Sequence, residues 1–473
     1  MPKKNTHSIS SYIQFRNSQG LECRGSLVRL SRQQVVFEVY NPYSIVQLSE
    51  VLSDVRIHQG DRETYKGRGV VTGLLNTGLM LIVSASLVDP WSDLTGLKPG
   101  ETLRSFVHDF VADWEACIER LNKPFQVCVG NLRNYLQELS RWLEHWEMEA
   151  GIKDTEMSVR ESEVASGLQL DFVQDVDQEI APRLSTLYAE FEESSRTIHR
   201  LHVPFHRAFA QRELHPLMMC SPFMHRAFSK PLGFAGDFEM VRMMLANPWE
   251  GKNTFARLMN ASALRHEAPA AHRNRIQLLH QSLKRESHRV LSTGERRVKI
   301  LNLGCGPAVE ILDFVKADAV SANVDFHLVD FNKETLDHVH KNLIPEVQRL
   351  RPDVNIVTEQ RSVHEIIQLS VEGKPNNDVQ YDMVYCAGLF DYFRDTTLSF
   401  LLQLFYSWVK PGGMVLVTNV TPTHSSVAIM GFVLEWTLEL RDEKNMLQLA
   451  PELGKQETYL DKTGVNVFLE IRK

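Results

Sequence analysis

Residues 298–310, VKILNLGCGPAVE, constrain the fold more than any other stretch of the chain. An apolar run from Val298 to Leu303 is followed at once by Gly304 and Gly306, one residue apart, and by a helical pattern opening at Val309. Two glycines at the tip of a buried strand let the backbone take positive φ and let another group approach where a side chain would stand. A helix that starts there points unpaired N–H groups at whatever occupies the turn. The stretch predicts a strand–turn–helix unit that either binds a ligand at its tip or simply turns tightly.

Hydrophobic periodicity divides the rest into three textures. From about 10 to 90, short alternating runs such as LVRLSRQQVVFEVY and GRGVVTGLL are separated by Gly and Asn-Pro breaks, the pattern of a small antiparallel barrel or sandwich. From about 100 to 290 the period is helical. Leu103, Phe106, Val107, Phe110, Trp114, Cys117, Ile118 and Leu121 form one apolar stripe, and Leu132, Leu136, Leu139, Leu143 and Trp146 a second. The charged stretch 151–165 reads as a solvated link between helices. From 298 onward strands alternate with helices, which predicts a parallel α/β sheet. The expected domains are a small β-barrel over 1–95, an α-helical linker and lid region over 96–290, and an α/β domain over 291–473.

With 473 residues, 43% hydrophobic and 23% charged, the chain has the balance of a folded, soluble multidomain protein. A formal net charge of −7 argues against broad affinity for nucleic acid or anionic lipid. The six cysteines form no C-x-x-C pair, so neither a zinc ribbon nor a disulfide scaffold is expected, and a reducing cytoplasm is the natural setting. No apolar stretch follows Lys3 and Lys4, so no secretory signal is read there. Residues 69–88 carry no charge over the roughly 20 positions that a membrane helix needs. Asn76-Thr77-Gly78 is nevertheless turn chemistry between two short runs, and a hairpin is expected rather than a membrane span. His202 and His206 flank Pro204 without a glutamate to complete a zinc motif, and no metal site is expected. Nothing ranks His215 or His225.

In an α/β sheet, ligands sit beyond the carboxyl ends of the strands. The second strand, VDFHLVD, ends at Asp330, placed to accept both hydroxyls of a ribose. That pairing suits dinucleotide and S-adenosylmethionine sites alike. Two features separate them. A dinucleotide fingerprint needs a third glycine three residues after Gly306, where this chain has Val309, followed by Glu310. An anionic residue at that helix start would repel pyrophosphate but tolerates a cationic sulfonium. Downstream, WVKPGGMVLVTNV reads as a helix end, a Lys410-Pro411-Gly412-Gly413 turn and a strand, and QETYLDKTGVNVFLEIRK as a hairpin closing the sheet.

The order ILNLGCGPA, HLVD, YDMVYCAGLFDYF, KPGGMVLV and terminal hairpin resembles the class I, Rossmann-like S-adenosylmethionine-dependent methyltransferases over about 298–473. The resemblance implies that Gly304, Cys305 and Gly306 pass under the methionine part of the cofactor and that Asp330 holds the ribose. It also implies that Phe331 lies against the adenine, that Ser362 and Val363 flank its edge, and that Cys386 ends the fourth strand beside the transferable methyl. Many relatives carry an aspartate where Ser362 stands. Amine-methylating branches often show an Asn/Asp-Pro-Pro-aromatic tetrad after the fourth strand. This chain has Cys386-Ala387-Gly388-Leu389, which disfavours bases and protein amides as acceptors.

Tyr385, Asp391 and Tyr392 are the catalytic candidates, with His424 and Glu435 after the fifth strand. KPLGFAGDFEMV, at 230–241, places Gly233, Phe234, Gly236 and Asp237 on a compact turn of the lid region. Together with YCAGLFDYF it resembles the bacterial family that makes 3-hydroxypalmitic acid methyl ester. A small acidic or hydroxylated, fatty-acid-derived acceptor is implied, with Arg273 and Arg275 as candidates to orient a carboxylate. RGSLVRLSRQQVVFEV, at 24–39, resembles the PilZ domain, which in many bacterial proteins binds cyclic di-GMP. Ser31 matches that family's pattern, whereas Arg29 and Gln34 replace its acid or amide and its glycine, and no Arg-x-x-x-Arg arm precedes them. The sequence therefore supports a cytoplasmic methyltransferase with an accessory barrel, the barrel and helices being available for self-association or a protein partner. A second reading is a non-catalytic signalling or scaffold protein that keeps the fold and is linked to cyclic di-GMP through the β module.

Overall fold

The computed structural model describes residues 11–40, 46–59, 62–77, 80–89, 91, 101–150, 159–246, 248–372 and 380–473. They fall into two compact units, each discontinuous in sequence: 1–235 with 248–263 and 427–437, and 236–247 with 264–426 and 438–473.

The first unit opens with six strands: β1 (Tyr12–Arg16), β2 (Glu22–Leu30), β3 (Gln34–Tyr40), β4 (Val51–Gln59), β5 (Arg62–Asn76) and β6 (Met80–Leu87). They close into an antiparallel barrel in the order β1-β2-β3-β6-β5-β4. The period-2 pattern dictates its interior: Ile13 and Phe15, Val35, Phe37 and Val39, and Leu81, Val83 and Ala85 alternate inward. β5 and β6 form the hairpin expected at 69–88, with Thr77 N–H donating to Met80 O across the turn at 2.9 Å. Gly78 lies outside the described residues.

In the turn before β4, the buried carboxylate of Glu50 accepts from Ser18 N–H and Oγ at 2.7 and 2.6 Å and from Gln47 N–H at 2.6 Å. Burial still raises its pKa. Ser49 beside it is fully buried at φ +60.

Helices follow along the chain: α1 (Glu101–Glu119), α2 (Lys123–Glu149), α3 (Val159–Arg196), α4 (Val203–Met218), α5 (Pro222–Ser229), α6 (Phe238–Leu245), α7 (Thr254–Arg265) and α8 (Glu267–Ser292), of which α6 and α8 belong to the second unit. In α2 the expected stripe Leu132, Leu136, Leu139 and Leu143 is buried. The α1 stripe behaves differently. Cys117 and Leu121 are buried, but Val107, Phe110 and Trp114 are each about half exposed, at 52%, 55% and 45%. The side chains of Leu103 and Phe106 lie outside the described residues, as does 151–158 of the expected link. From Val159 the remainder of that link is helix α3. His206 caps rather than ligates: its Nε2 accepts from Asn122 N–H at 3.0 Å. No group of residues suited to a metal ion occurs among the described residues. Nor is any of their helices long and apolar enough to cross a membrane.

The second unit holds β7 (Val298–Leu303), α9 (Val309–Ala317), β8 (Val324–Asp330), α10 (Lys333–His338), α11 (Ile344–Leu350), β9 (Asn355–Gln360), α12 (Val363–Val371), β10 (Tyr381–Cys386), α13 (Asp395–Trp408), β11 (Val409–Val420), α14 (Glu443–Gln448), β12 (Lys455–Leu460) and β13 (Asn466–Arg472). The sheet order is β12-β13-β11-β10-β7-β8-β9, parallel except where β13 runs antiparallel to β11 and β12. Its strands are apolar on both faces because helices cover both. Ile300, Phe326, Met383 and Leu416 pack towards α8 and α9, and Leu301, Val384, Val415 and Leu469 towards α12, α13 and α14. Lys410-Pro411-Gly412-Gly413 does not separate a helix from a strand as expected. It lies inside β11, where the pairing with β10 shifts register.

Strand order reverses between β7 and β10. The crevice beyond their carboxyl ends is the switch point at which such sheets bind ligands.

Candidate functional site

The site is built on the tips of β7, β8 and β10. Gly304 and Gly306 take φ of +69° and +53°, and Ala308, the residue before α9, takes +49° although it carries a side chain. The turn is fastened to β8. Gly304 and Cys305 N–H donate to Val329 O at 2.8 and 3.1 Å, and Gly306 N–H donates to Asp330 Oδ2 at 3.2 Å. Asp330 Oδ1 accepts from Asn332 N–H at 2.9 Å. The glycine pair and the acidic strand end, about two dozen residues apart in sequence, are thus hydrogen-bonded to each other. Burial pushes the Asp330 carboxyl up to about 6 despite these donors. A Cβ built on Gly306 meets nothing, so the turn faces open space.

Tyr385 does not reach that space. It is fully buried, and its hydroxyl donates to Glu310 Oε1 at 2.8 Å while accepting from Asn302 Nδ2 at 2.9 Å. Burial and the nearby Glu310 carboxylate drive its pKa well above the usual phenol range, so it is no proton acceptor at neutral pH. Burial likewise raises the thiols of Cys305 and Cys386, which stay protonated and unreactive.

Asp391 is buried in the 3-10 turn Phe390–Tyr392, where its Oδ1 accepts from Val420 N–H at 2.6 Å and its main-chain O from Glu439 N–H at 2.7 Å. Burial raises its pKa, opposed by the Arg275 charge.

The two arginines separate clearly. Arg273 spends its guanidinium on main-chain oxygens, Met244 O and Leu264 O, each at 3.1 Å. Arg275 instead lies against Gly388, where a Cβ would come within 2.8 Å of its Nη2. Gly388 has φ +86°, so two independent reasons require glycine there. Arg275 Nη2 donates to His272 Nδ1 at 2.6 Å, one helical turn earlier on α8. Burial and the adjacent arginines hold His272 far below its ordinary range, so the ring is neutral with its proton on Nε2. Asp391, Tyr392, Glu310 and Cys386 surround the guanidinium electrostatically.

His424, after β11, is buried and pushed down to about 4, so it is uncharged at neutral pH. Glu435 belongs to the first unit. Asn302 and His272 were not singled out from sequence as site residues, and Glu310 was read only as an anionic residue at the helix start. The available signals were an ionisable residue on the buried face of α9 and a histidine three positions before Arg275.

Phe331 follows Asp330 and is partly exposed. Ser362 and Val363 open α12 and are buried, and Arg361 N–H donates to Asp330 O at 3.1 Å, bringing the end of β9 beside the acid. The Ser362 hydroxyl is spent locally. It accepts from Glu365 N–H at 3.2 Å, while Glu365 Oε2 accepts from Ser362 N–H at 2.7 Å, a capping box. Ser362→Ala should therefore cost about 1 kcal/mol of stability in denaturant unfolding. A loss of ligand affinity with unchanged stability would instead place the hydroxyl at the ligand.

No family model and no curated protein matches the chain. Among solved structures, a possible exported protein from Bordetella parapertussis is similar at TM-score 0.41 and 17% identity, covering 53% of this chain and 86% of that one. A magnesium protoporphyrin IX methyltransferase from Synechocystis PCC 6803 with bound SAH is similar at TM-score 0.32 and 9% identity, over 44% and 87%. The N-methyltransferase NodS from Bradyrhizobium japonicum WM9, in complex with S-adenosyl-L-homocysteine, gives 0.31 and 13%, over 50% and 97%. Likeness at this level carries no functional argument, and the fold stands on its own strand order and register.

Proposed function

We propose that this chain is an S-adenosylmethionine-dependent methyltransferase whose acceptor is a small, acidic or hydroxylated, fatty-acid-derived molecule. The observation that carries the reading is the Gly304–Gly306 turn hydrogen-bonded to Asp330 at the switch point of a sheet closed by an antiparallel hairpin. The residues fit this cofactor better than a dinucleotide. Glu310 is buried in the first turn of α9, where pyrophosphate would meet like charge, and Val309 replaces the packing glycine. Asp330 Oδ2 accepts from Gly306 N–H and Oδ1 from Asn332 N–H, with Phe331 N–H a third main-chain donor to the carboxylate, which still leaves a lone pair for a ribose hydroxyl.

When bound, the cofactor supplies an electrophilic methyl group on a cationic sulfur. Gly304, Cys305 and Gly306 would leave room for its methionine part, and Asp330 would accept the ribose hydroxyls. Phe331 would lie against the adenine, Ser362 and Val363 would border it, and Cys386 would close the floor beneath the methyl.

Arg275, aimed by His272 and lying against Gly388, would orient the anionic end of the acceptor. A carboxylate is already ionised at neutral pH, so Asp391 and Tyr392 then position rather than deprotonate. With a hydroxyl acceptor, Asp391 is the group for proton removal, and burial raises its pKa towards that task. Tyr385 supports Glu310 in either case. All six cysteines are free, in keeping with a reducing cytoplasm.

Calorimetric titration with S-adenosylmethionine is expected to show one site. A tritiated-methyl assay on lysate fractions is expected to label the lipid-soluble or small polar pool. Label confined to protein or nucleic acid would overturn the small-acceptor reading. Binding without any label would favour the signalling alternative, and absence of binding would remove the cofactor.

A further inference from the structure

We propose that the first unit carries a small-molecule site of its own, a hollow between the start of α5, the start of α7 and the turn before α7, and that it takes a free amino acid with a large apolar side chain. The hollow has a volume of about 770 Å³, and every residue lining it belongs to this unit. Cavities of this size commonly hold small ligands. No residue of the α/β sheet takes part.

The walls are pinned to each other by one buried side chain. Asn260, on α7, accepts through Oδ1 from Ser221 Oγ at 2.9 Å and Phe223 N–H at 3.0 Å, and donates through Nδ2 to Pro248 O at 2.9 Å. The start of α5 and the segment entering α7 are therefore held in one place. Gly251 brings that segment hard against α7, where a Cβ would come within 2.7 Å of Ala256 C and Arg257 N. Arg257 Nε reaches back to Gly251 O at 3.4 Å. Glu250 and Lys252, on either side of this glycine, are thus carried by a turn with little freedom to move.

The helix starts themselves have little left to offer a ligand. In α5, Phe223 N–H is taken by Asn260, and Met224 and His225 N–H donate to Ser221 Oγ at 3.2 Å and Ser221 O at 2.9 Å. In α7, Thr254 N–H donates to Glu147 Oε1 at 2.7 Å, while Ala256 and Arg257 N–H donate to Asn253 Oδ1 at 2.8 Å and Asn253 O at 3.0 Å. Polar contacts must come from side chains.

Three such side chains line the hollow: His225, Glu250 and Lys252. None of them makes a hydrogen bond or ion pair with a described residue, although Glu250 and Lys252 carry opposite charges and stand two positions apart. Beside them Met219, Pro222 and Ala256 supply apolar surface. A purely anionic ligand would meet Glu250, and a purely cationic one Lys252. A zwitterion answers both. Two positions span at most about 7 Å of chain, which suits a ligand whose own charges lie close together. An α-amino acid carries its ammonium and carboxylate on one carbon, and the apolar surface and the volume that remain suit the largest side chains.

Cys220 also lines the hollow and is exposed, so its alkylation by N-ethylmaleimide, followed by peptide mass spectrometry on the full chain, reports occupancy. The probes are L-tryptophan, N-acetyl-L-tryptophan, which lacks the ammonium, and L-tryptophan methyl ester, which lacks the carboxylate. L-Tryptophan is expected to protect Cys220 saturably while Cys23, on barrel strand β2, reacts as before. Glu250→Gln should weaken L-tryptophan and its methyl ester about tenfold and leave N-acetyl-L-tryptophan unchanged, and Lys252→Met should weaken L-tryptophan and N-acetyl-L-tryptophan by a similar factor and leave the ester unchanged. Lys252 is exposed and Glu250 half-buried, so neither substitution touches a core position. Absence of saturable protection by all three probes overturns the proposal. So does protection that both variants retain, or lose equally for every probe, because the charges would then play no part in recognition.

Discussion

Arg275→Leu is expected to lower methyl transfer to a carboxylate-bearing acceptor by about thirtyfold or more. Removing one partner of a partly buried, charge-assisted pair typically costs about 2–5 kcal/mol, and each 1.4 kcal/mol is tenfold. The loss should fall on kcat/KM for the acceptor, while S-adenosylmethionine binds as before. Gly388→Ala should move in the same direction with Arg275 intact, because its Cβ arrives 2.8 Å from the guanidinium at a backbone angle that alanine resists. Steady-state kinetics beside calorimetric cofactor titration separates the outcomes. A parallel fall in cofactor affinity would assign the guanidinium to the cofactor's own carboxylate instead.

Asp330→Ala is expected to weaken S-adenosylmethionine binding by about 1–3 kcal/mol, the scale for losing a charged acceptor of ligand hydroxyls. The same group gives a pH dependence whose sign follows from its environment. Burial raises its pKa from 3.8 to about 6, so the ligand-free protein resists ionising it. The stability contributed by the neutral form is complete below the unfolded value and is lost as pH rises through 6. Acceptance of two hydroxyls favours the ionised form, so affinity should climb between pH 5 and 7 and level off above. Asp330→Asn should flatten that climb. A wild-type affinity independent of pH over this window would show that the carboxylate does not face the ligand.

The α/β sheet was legible because buried parallel strands read as apolar runs, and Gly304 and Asp330 stand at the ends of two of them. The hairpin at 69–88 was legible from Asn76 and Thr77. Burial of α1 was not. Periodicity places Val107, Phe110 and Trp114 on one face but says nothing about whether another element covers that face. The partnership of Asn302, Glu310 and Tyr385 was not legible: Tyr385 stood out only as a catalytic candidate and Glu310 only as a charge at a helix start. Only the packing of β7 against β10 and α9 makes them partners. Residues 427–437 were hidden for a similar reason, since Glu192, Arg207 and Lys230 hold them from more than 190 positions away.

The interleaving of the two units also governs how this chain emerges from a ribosome. Everything in the first unit up to residue 263 is made long before 427–437, so during synthesis Glu192, Arg207 and Lys230 wait without the main-chain groups that satisfy them. Burying such charges unpaired is costly, so the helices around them have reason to stay loosely packed until β11 has been translated. The barrel, whose strands are local and close on themselves, needs no such delay. Vectorial synthesis would then give a barrel that folds early and helices that wait until residues 427–437 have been made. An arrangement of this kind ties completion of the first unit to a segment made near the end of the chain.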